Sequence, residues 1–253
     1  MRKKMITGAM ALVVLTALTT ISCDSINGFG KIHEGRIVYS IEYPKDKEQS
    51  SLVTLLPETM ELKFKEDNTV ININGFFAIF SLIYISDHNT HTNYSLLRVM
   101  NQKKMYKADT MEIPFGYEKM QDIQIKHTDD TLTICGYKCK KALAYCPDAS
   151  DKPYELYYTN EIGIRNPNTN NPFRQLDGVL LGFQVRLSNI SMNMRAIEIH
   201  EEKIDDSVFN IPEDYEIVSR EQLEEFIDSF TKSDDASNVG RWKSHSSNSF
   251  LIS

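Results

Sequence analysis

The chain has 253 residues and carries 28 Lys and Arg against 35 Asp and Glu, a formal net charge of −7. That acid excess argues against a nucleic-acid partner, because holding a phosphate backbone relies on clustered Lys and Arg. The length suits one β-rich domain or two small ones, and a core of that size needs no disulfide support.

Residues Arg2, Lys3 and Lys4 form a basic head, and the stretch from Met5 to Ile21 carries no charge. Ser22 and Cys23 follow, then the polar Asp24, Ser25 and Asn27. A basic head, an apolar core and a small residue before a cut is the layout of a secretory signal peptide, expected here over 1–22. The stretch falls short of the ~20 apolar residues of a spanning helix. Removing it leaves 25 basic against 35 acidic residues, an acid excess of ten. Thr20-Ile21-Ser22-Cys23 also resembles the bacterial lipobox, with Thr20 where an aliphatic residue is usual. That resemblance implies a diacylglycerol on the sulfur of Cys23. Each buried methylene of such chains contributes ~0.8 kcal/mol, so two or three chains hold a protein to a membrane without a spanning segment. The expected location is the cell envelope, lipid-anchored, with the outer membrane favoured and the face left open.

Residues 23–33 are polar and contain glycine, as in a tether. From residue 34 the patterning has period two. Ile37, Tyr39, Ile41 and Tyr43 alternate with polar residues up to Pro44; Met60, Leu62 and Phe64 do the same. Val70, Ile71 and Ile73 lead into an apolar run from Phe76 to Ile85. Ile123 and Ile125, then Leu132 and Ile134, lead to a turn at Gly136, from which Ala142, Ala144 and Cys146 return. Tyr154, Leu156 and Tyr158 form a further strand, as do Leu181, Phe183, Val185 and Leu187. Ile190, Met192, Met194 and Ala196 continue, after which Ile197 and Ile199 switch parity, predicting a β-bulge near Ala196. Polar clusters at 66–68, 87–93, 128–131, 147–153 and 166–172 separate these runs as turns. Helical signals are few: a short segment from Lys47 to Leu56, and Ser219 to Phe230. In the latter, Ser219 and Gln222 make a capping box, and Leu223, Phe226, Ile227 and Phe230 share a face. The pattern predicts a mainly β (α+β) single domain over 34–230, an antiparallel meander with one buried face and a few short helices. Residues 231–253, rich in Ser, Asp and Asn, read as a disordered tail.

With Cys23 lipidated, Cys135, Cys139 and Cys146 remain. Export permits a disulfide, and a bridge from Cys135 to Cys139 would close the hairpin tip; Cys139 to Cys146, or three buried thiols, are the alternatives. Chemistry is sparse. His88 and His91 lie in an Asn/Thr-rich turn with only Asp87 as a further ligand, and His200-Glu201-Glu202 lacks the second histidine of a zinc hydrolase motif. No catalytic residue, metal site or cofactor is expected. Phe183, Met192 and Met194 are candidates for an adaptable apolar groove, since methionine suits such contacts; the plainer reading makes them core. Pro114-Phe115-Gly116-Tyr117 either meets a partner or folds back on the sheet.

Three blocks carry a family resemblance. Ile134, Gly136, Tyr137, Cys139, Lys141 and Ala142 make the first, and Tyr157, Tyr158, Thr159, Glu161 and Ile162 the second. Leu176-Asp177-Gly178-Val179-Leu180 is a looser third, and Phe209-Asn-Ile-Pro-x-x-Tyr215 an ending. Together they resemble the GLPGLI-type and related lipoproteins of Bacteroidetes, with Tyr157 where Trp is usual and without the leading Gly and the Pro of the third block. The resemblance implies a LolA/LolB-like architecture, a strongly curved antiparallel half-barrel whose concave face receives acyl chains in carriers of that shape. The expected role is therefore an envelope protein binding a hydrophobic or peptide-like ligand on the sheet, or an accessory subunit of an envelope complex.

Overall fold

The computed structural model describes residues 31–44, 56–75, 80–109, 111–147, 152–187 and 190–231, the side chains of 230 and 231 aside. The leader, Cys23, most of the tether, the tail beyond 231 and nearly all of the 47–56 segment lie outside the described residues.

Alternation is the main architect of the fold. In β1 (Glu34–Glu42) every second side chain is buried, and β2 (Thr59–Lys65) follows the same rule in pairing with it. β3 (Asn68–Asn74), β4 (Phe80–Asp87), β5 (Thr92–Val99) and β6 (Gln102–Asp109) extend this antiparallel meander outward. The chain then crosses to the far edge. From there β7 (Gln124–Ile134), β8 (Tyr137–Tyr145), β9 (Tyr154–Thr159), β10 (Val179–Leu187) and β11 (Ile190–Glu201) run back until β11 pairs with β1. A two-residue strand, β12 (Glu216–Ile217), adds in parallel to β6. The result is an open, mostly antiparallel twelve-stranded sheet ordered β12-β6-β5-β4-β3-β2-β1-β11-β10-β9-β8-β7. Among the described residues there is one α-helix, α1 (Arg220–Thr231), besides 3-10 turns at Glu118–Met120 and Asp206–Phe209. No described helix is long and apolar enough to cross a membrane.

The parity switch at Ala196 has its predicted cause. Val38 pairs with Glu198 and Tyr39 with Ala196, so Ile197 is the extra residue of a bulge and is half exposed. The capping box also forms: the Ser219 amide donates to Gln222 Oε1 (2.9 Å) and the Gln222 amide to Ser219 Oγ (3.3 Å). α1 then buries Leu223, Phe226 and Ile227 in the main core.

Two expectations need correcting, and one alternative left open above is decided. Residues 128–131 do not separate two strands; they are an irregularity inside β7, between the pairs His127–Ala142 and Thr131–Lys140. Ile32 and His33 are not free tether, since Ile32 is buried and bridges Ile162. The Phe115 loop folds back, burying Phe115 and Tyr117, and Tyr84 Oη donates to the Phe115 carbonyl (2.8 Å). Gly116 makes that return feasible. Its φ is +88°, and a Cβ there would collide with Leu187 while sitting beside the Tyr84 hydroxyl.

One apolar face of the sheet is thus covered by the chain itself, through the 113–123 segment, the 162–176 loop and α1. On the opposite face of β3–β6, Val70, Ile85, Leu96 and Met105 form a second cluster under Val208, Phe209, Ile211 and Tyr215.

Candidate functional site: a polar end of the inner face

The inner face changes chemistry along the strands. Deep in the core, one cross-strand row runs Ile73, Leu82, Leu97; two residues along, the row is Ile71, Tyr84, Ser95, Tyr106. Two residues further it becomes Thr69, Ser86, Asn93, Ala108, with the three polar members buried. Side chains of period two point to one face, so these rows are one surface that turns polar at its end.

The Asn-rich loop 165–176 lies over this end. Its conformation is set from within: buried Asn168 donates to the carbonyls of Leu176 (2.9 Å) and Gly178 (3.0 Å) and accepts from Asn171 Nδ2 (3.0 Å). Phe173 is fully buried and meets Phe183 edge-on. Thr169 seats the loop on the sheet. Its hydroxyl pairs with Ser86 Oγ (3.1 Å), and its carbonyl accepts from Asn93 Nδ2 (3.3 Å) and Arg174 Nη2 (3.4 Å). Burial holds the half-buried Arg174 guanidinium below its ordinary range, and Arg174 has no ion pair among the described residues.

Around Thr169 several buried polar atoms lack partners: Asn93 Oδ1, both side-chain polar atoms of Asn170, and Arg174 Nε. Asn170 is only 2% exposed. Leaving such groups dry and unpaired costs about 1–3 kcal/mol each, which makes this seam the candidate site.

Beside this seam, at the β2–β3 turn, His33, Glu66, Asp67, Gly163 and Arg165 line a pocket of ≈ 270 Å³. Asp67 accepts from the Arg165 amide (2.9 Å) and Nε (2.8 Å), with Arg165 Nη2 also on its carboxylate. Burial pushes the Asp67 pKa up, but the Arg165 bonds and charge outweigh it and hold the carboxyl below its usual range. His33 Nδ1 donates to the Gly163 carbonyl (3.0 Å).

The candidates read from the sequence lie elsewhere. Cys23 is outside the described residues. Phe183, Met192 and Met194 are 8%, 4% and 3% exposed, packed in the main core beneath the covering loops. The Cys135–Cys139 bridge is not formed, and both carry free thiols. Cys135 and Gly136 are the positive-φ pair of a two-residue turn, whereas Cys139 lies further along β8 opposite Leu132. Cys135 Sγ donates to the Ala196 carbonyl (3.3 Å) at the β11 bulge, and Cys139 Sγ to Tyr137 O (3.6 Å). Burial pushes the Cys139 pKa up to about 11, which makes it a poor nucleophile. The His88 and His91 rings stand 5.7 Å apart, and no group of three metal-ligating side chains occurs among the described residues.

No protein-family model matches the chain, and no curated protein matches it. Solved structures do. PNGF-II in its P21 crystal form superposes with a TM-score of 0.52 at 16% identity, over 77% of this chain and 33% of that one. Its C2 form gives 0.51 at 16% identity, over 77% and 32%. The likeness is one of fold. This chain spans about a third of the length of PNGF-II.

The sequence signal for the site was the cluster at 166–172, which composition marked as a turn. Nothing in composition alone separates an exposed Asn-rich turn from one that buries its amides against a strand.

Proposed function

We propose that this chain is a lipid-anchored cell-envelope protein, held through Cys23, whose sheet curves into a LolA/LolB-like half-barrel and takes a peptide-like ligand at its polar end. The curvature rests on cross-sheet contacts. A Cβ on Gly116 would meet both Leu187 of β10 and the Tyr84 hydroxyl of β4, five places apart in the sheet order. In a flat sheet five spacings of ~4.8 Å would separate them by roughly 24 Å.

The observation that carries the ligand class is a contrast in burial. Phe183, Met192 and Met194 are already covered, whereas the amide of Asn170 is buried with neither its donor nor its acceptor used. A peptide group offers one N–H and one C=O, the complement of a side-chain amide. The ligand reaches this seam if the loop carrying Thr169 lifts from Ser86 and Asn93. The test is panning of a displayed random-peptide library on purified protein lacking the leader, beside titration with a fluorescent fatty acid. Saturable peptide binding that Arg174→Ala abolishes supports the reading. Stoichiometric fatty-acid binding with no peptide selected overturns it.

The second reading is an accessory subunit of an envelope complex. The chain's own cover over its apolar face favours it, since a closed module has nothing to admit. In that case neither probe binds, and cross-linked envelopes yield one partner at fixed stoichiometry.

A further inference from the structure

We infer that the seam between the Asn-rich loop and the sheet is a built hydration site, holding a small cluster of ordered waters whenever no other ligand occupies it. Four of the five unpartnered buried side-chain atoms among the described residues lie on that loop or on the strand beneath it: Asn93 Oδ1, Asn170 Oδ1 and Nδ2, and Arg174 Nε. Asn93 and Arg174 both donate to the Thr169 carbonyl, and Asn170 is the next residue along.

Amide reorientation does not remove the need. Turning the Asn93 amide over would set its oxygen against the Thr169 carbonyl, trading a bond for a repulsion. Turning Asn170 changes nothing, because both of its polar atoms lack partners. The four atoms ask for two donors and at least two acceptors. Water supplies both, and on the order of two molecules has the capacity, with three or so bonds each, as buried waters normally make. A buried polar atom left dry costs more than immobilising a water does. The row beneath is suited to the same purpose, since Thr69, Ser86 and Ser95 add buried hydroxyls beside Asn93. The bonds from Thr169 to the sheet are 3.1 and 3.3 Å, a looser seat than Asn168 makes within the loop.

This inference concerns the ligand-free protein and stands or falls apart from the peptide reading. A crystal structure of protein without its leader at about 1.5 Å or better is the first test. Expected are discrete water peaks within hydrogen-bond reach of Asn93 Oδ1 and both Asn170 atoms. A dry seam in ligand-free protein, with these atoms bonded to protein or left unpaired, overturns the inference. Asn170→Leu is the second test. A hydrated seam loses a water partner and the Tm falls, whereas a dry seam sheds an unpaired amide and the Tm rises. A long-lived water cross-peak to the Asn170 side-chain amide, lost in Asn170→Leu, is the matching signal in solution.

Discussion

Replacing Asn168 with Ala should unseat the Asn-rich loop. Its side chain satisfies the carbonyls of Leu176 and Gly178 and one amide hydrogen of Asn171, and it is buried. Alanine removes all three partners without offering another. An orphaned buried group costs about 1–3 kcal/mol. Asn171 is half-buried and recovers part of its loss from solvent, which leaves about 3–5 kcal/mol in total. For a protein of this size each kcal/mol moves the midpoint by about 2–4 °C, so Tm should fall by roughly 6–20 °C. Urea unfolding followed by tyrosine fluorescence measures the free energy, and an unchanged slope would confirm that the same surface unfolds. Asn168→Asp should also be unfavourable, since a carboxylate cannot donate and would face two carbonyls. A loss below about 1 kcal/mol for Asn168→Ala would refute the reasoning, because the loop would then be held by something other than its internal bonds.

Other perturbations probe the surrounding parts. Ser219→Ala should cost about 1 kcal/mol and speed hydrogen exchange in the first turn of α1, by removing the cap from the Gln222 amide. Phe173→Ala should cost about 3–5 kcal/mol, as a fully buried ring facing Phe183 is lost. Gly116→Ala should destabilise by about 1–3 kcal/mol, since φ is +88° and the new methyl meets Leu187. The Asp67 carboxyl is held below its ordinary value of 3.8, so the folded state binds that proton less readily than the unfolded chain. Its contribution is therefore complete above that value and fades as pH falls through the lower, folded value. Asp67→Asn should flatten the acid limb of stability against pH, and an unchanged limb would remove Asp67 from the account.

Much of the sheet was legible from alternation. β1, β2 and β8–β11 coincide with apolar runs of period two, and the single residue inserted at Ile197 was visible as a parity switch. β5 and β6 were not. In β5 Leu96 packs under the second cluster while Leu97 faces the main core, so both faces are buried and no alternation survives. β6 runs Gln102-Lys103-Lys104-Met105-Tyr106, polar because it sits near the sheet edge with only two residues of β12 beyond it. Thr128 to Thr131 looked like a turn, yet the β7 ladder resumes at Thr131. Acidic residues and an irregularity in an edge strand are what discourage pairing with another chain. The candidate site was hidden for a different reason. Phe183, Met192 and Met194 carry the sequence signature of either a groove or a core, and only the course of the covering loops decides between them. Burial of Asn170 likewise depends on where Thr169 lands, on strands some eighty residues distant in sequence.

On the proposed function, binding takes place at the polar end and not within the apolar face. Protein labelled at methionine methyls and backbone amides reports both places in one NMR titration. With decanoate, the Met192 and Met194 methyls should stay in place; with a selected peptide, the amides of Asn93, Asn170 and Arg174 should shift saturably. Saturable movement of the Met192 and Met194 methyls on adding decanoate, with the loop amides unmoved by any peptide, would contradict the claim.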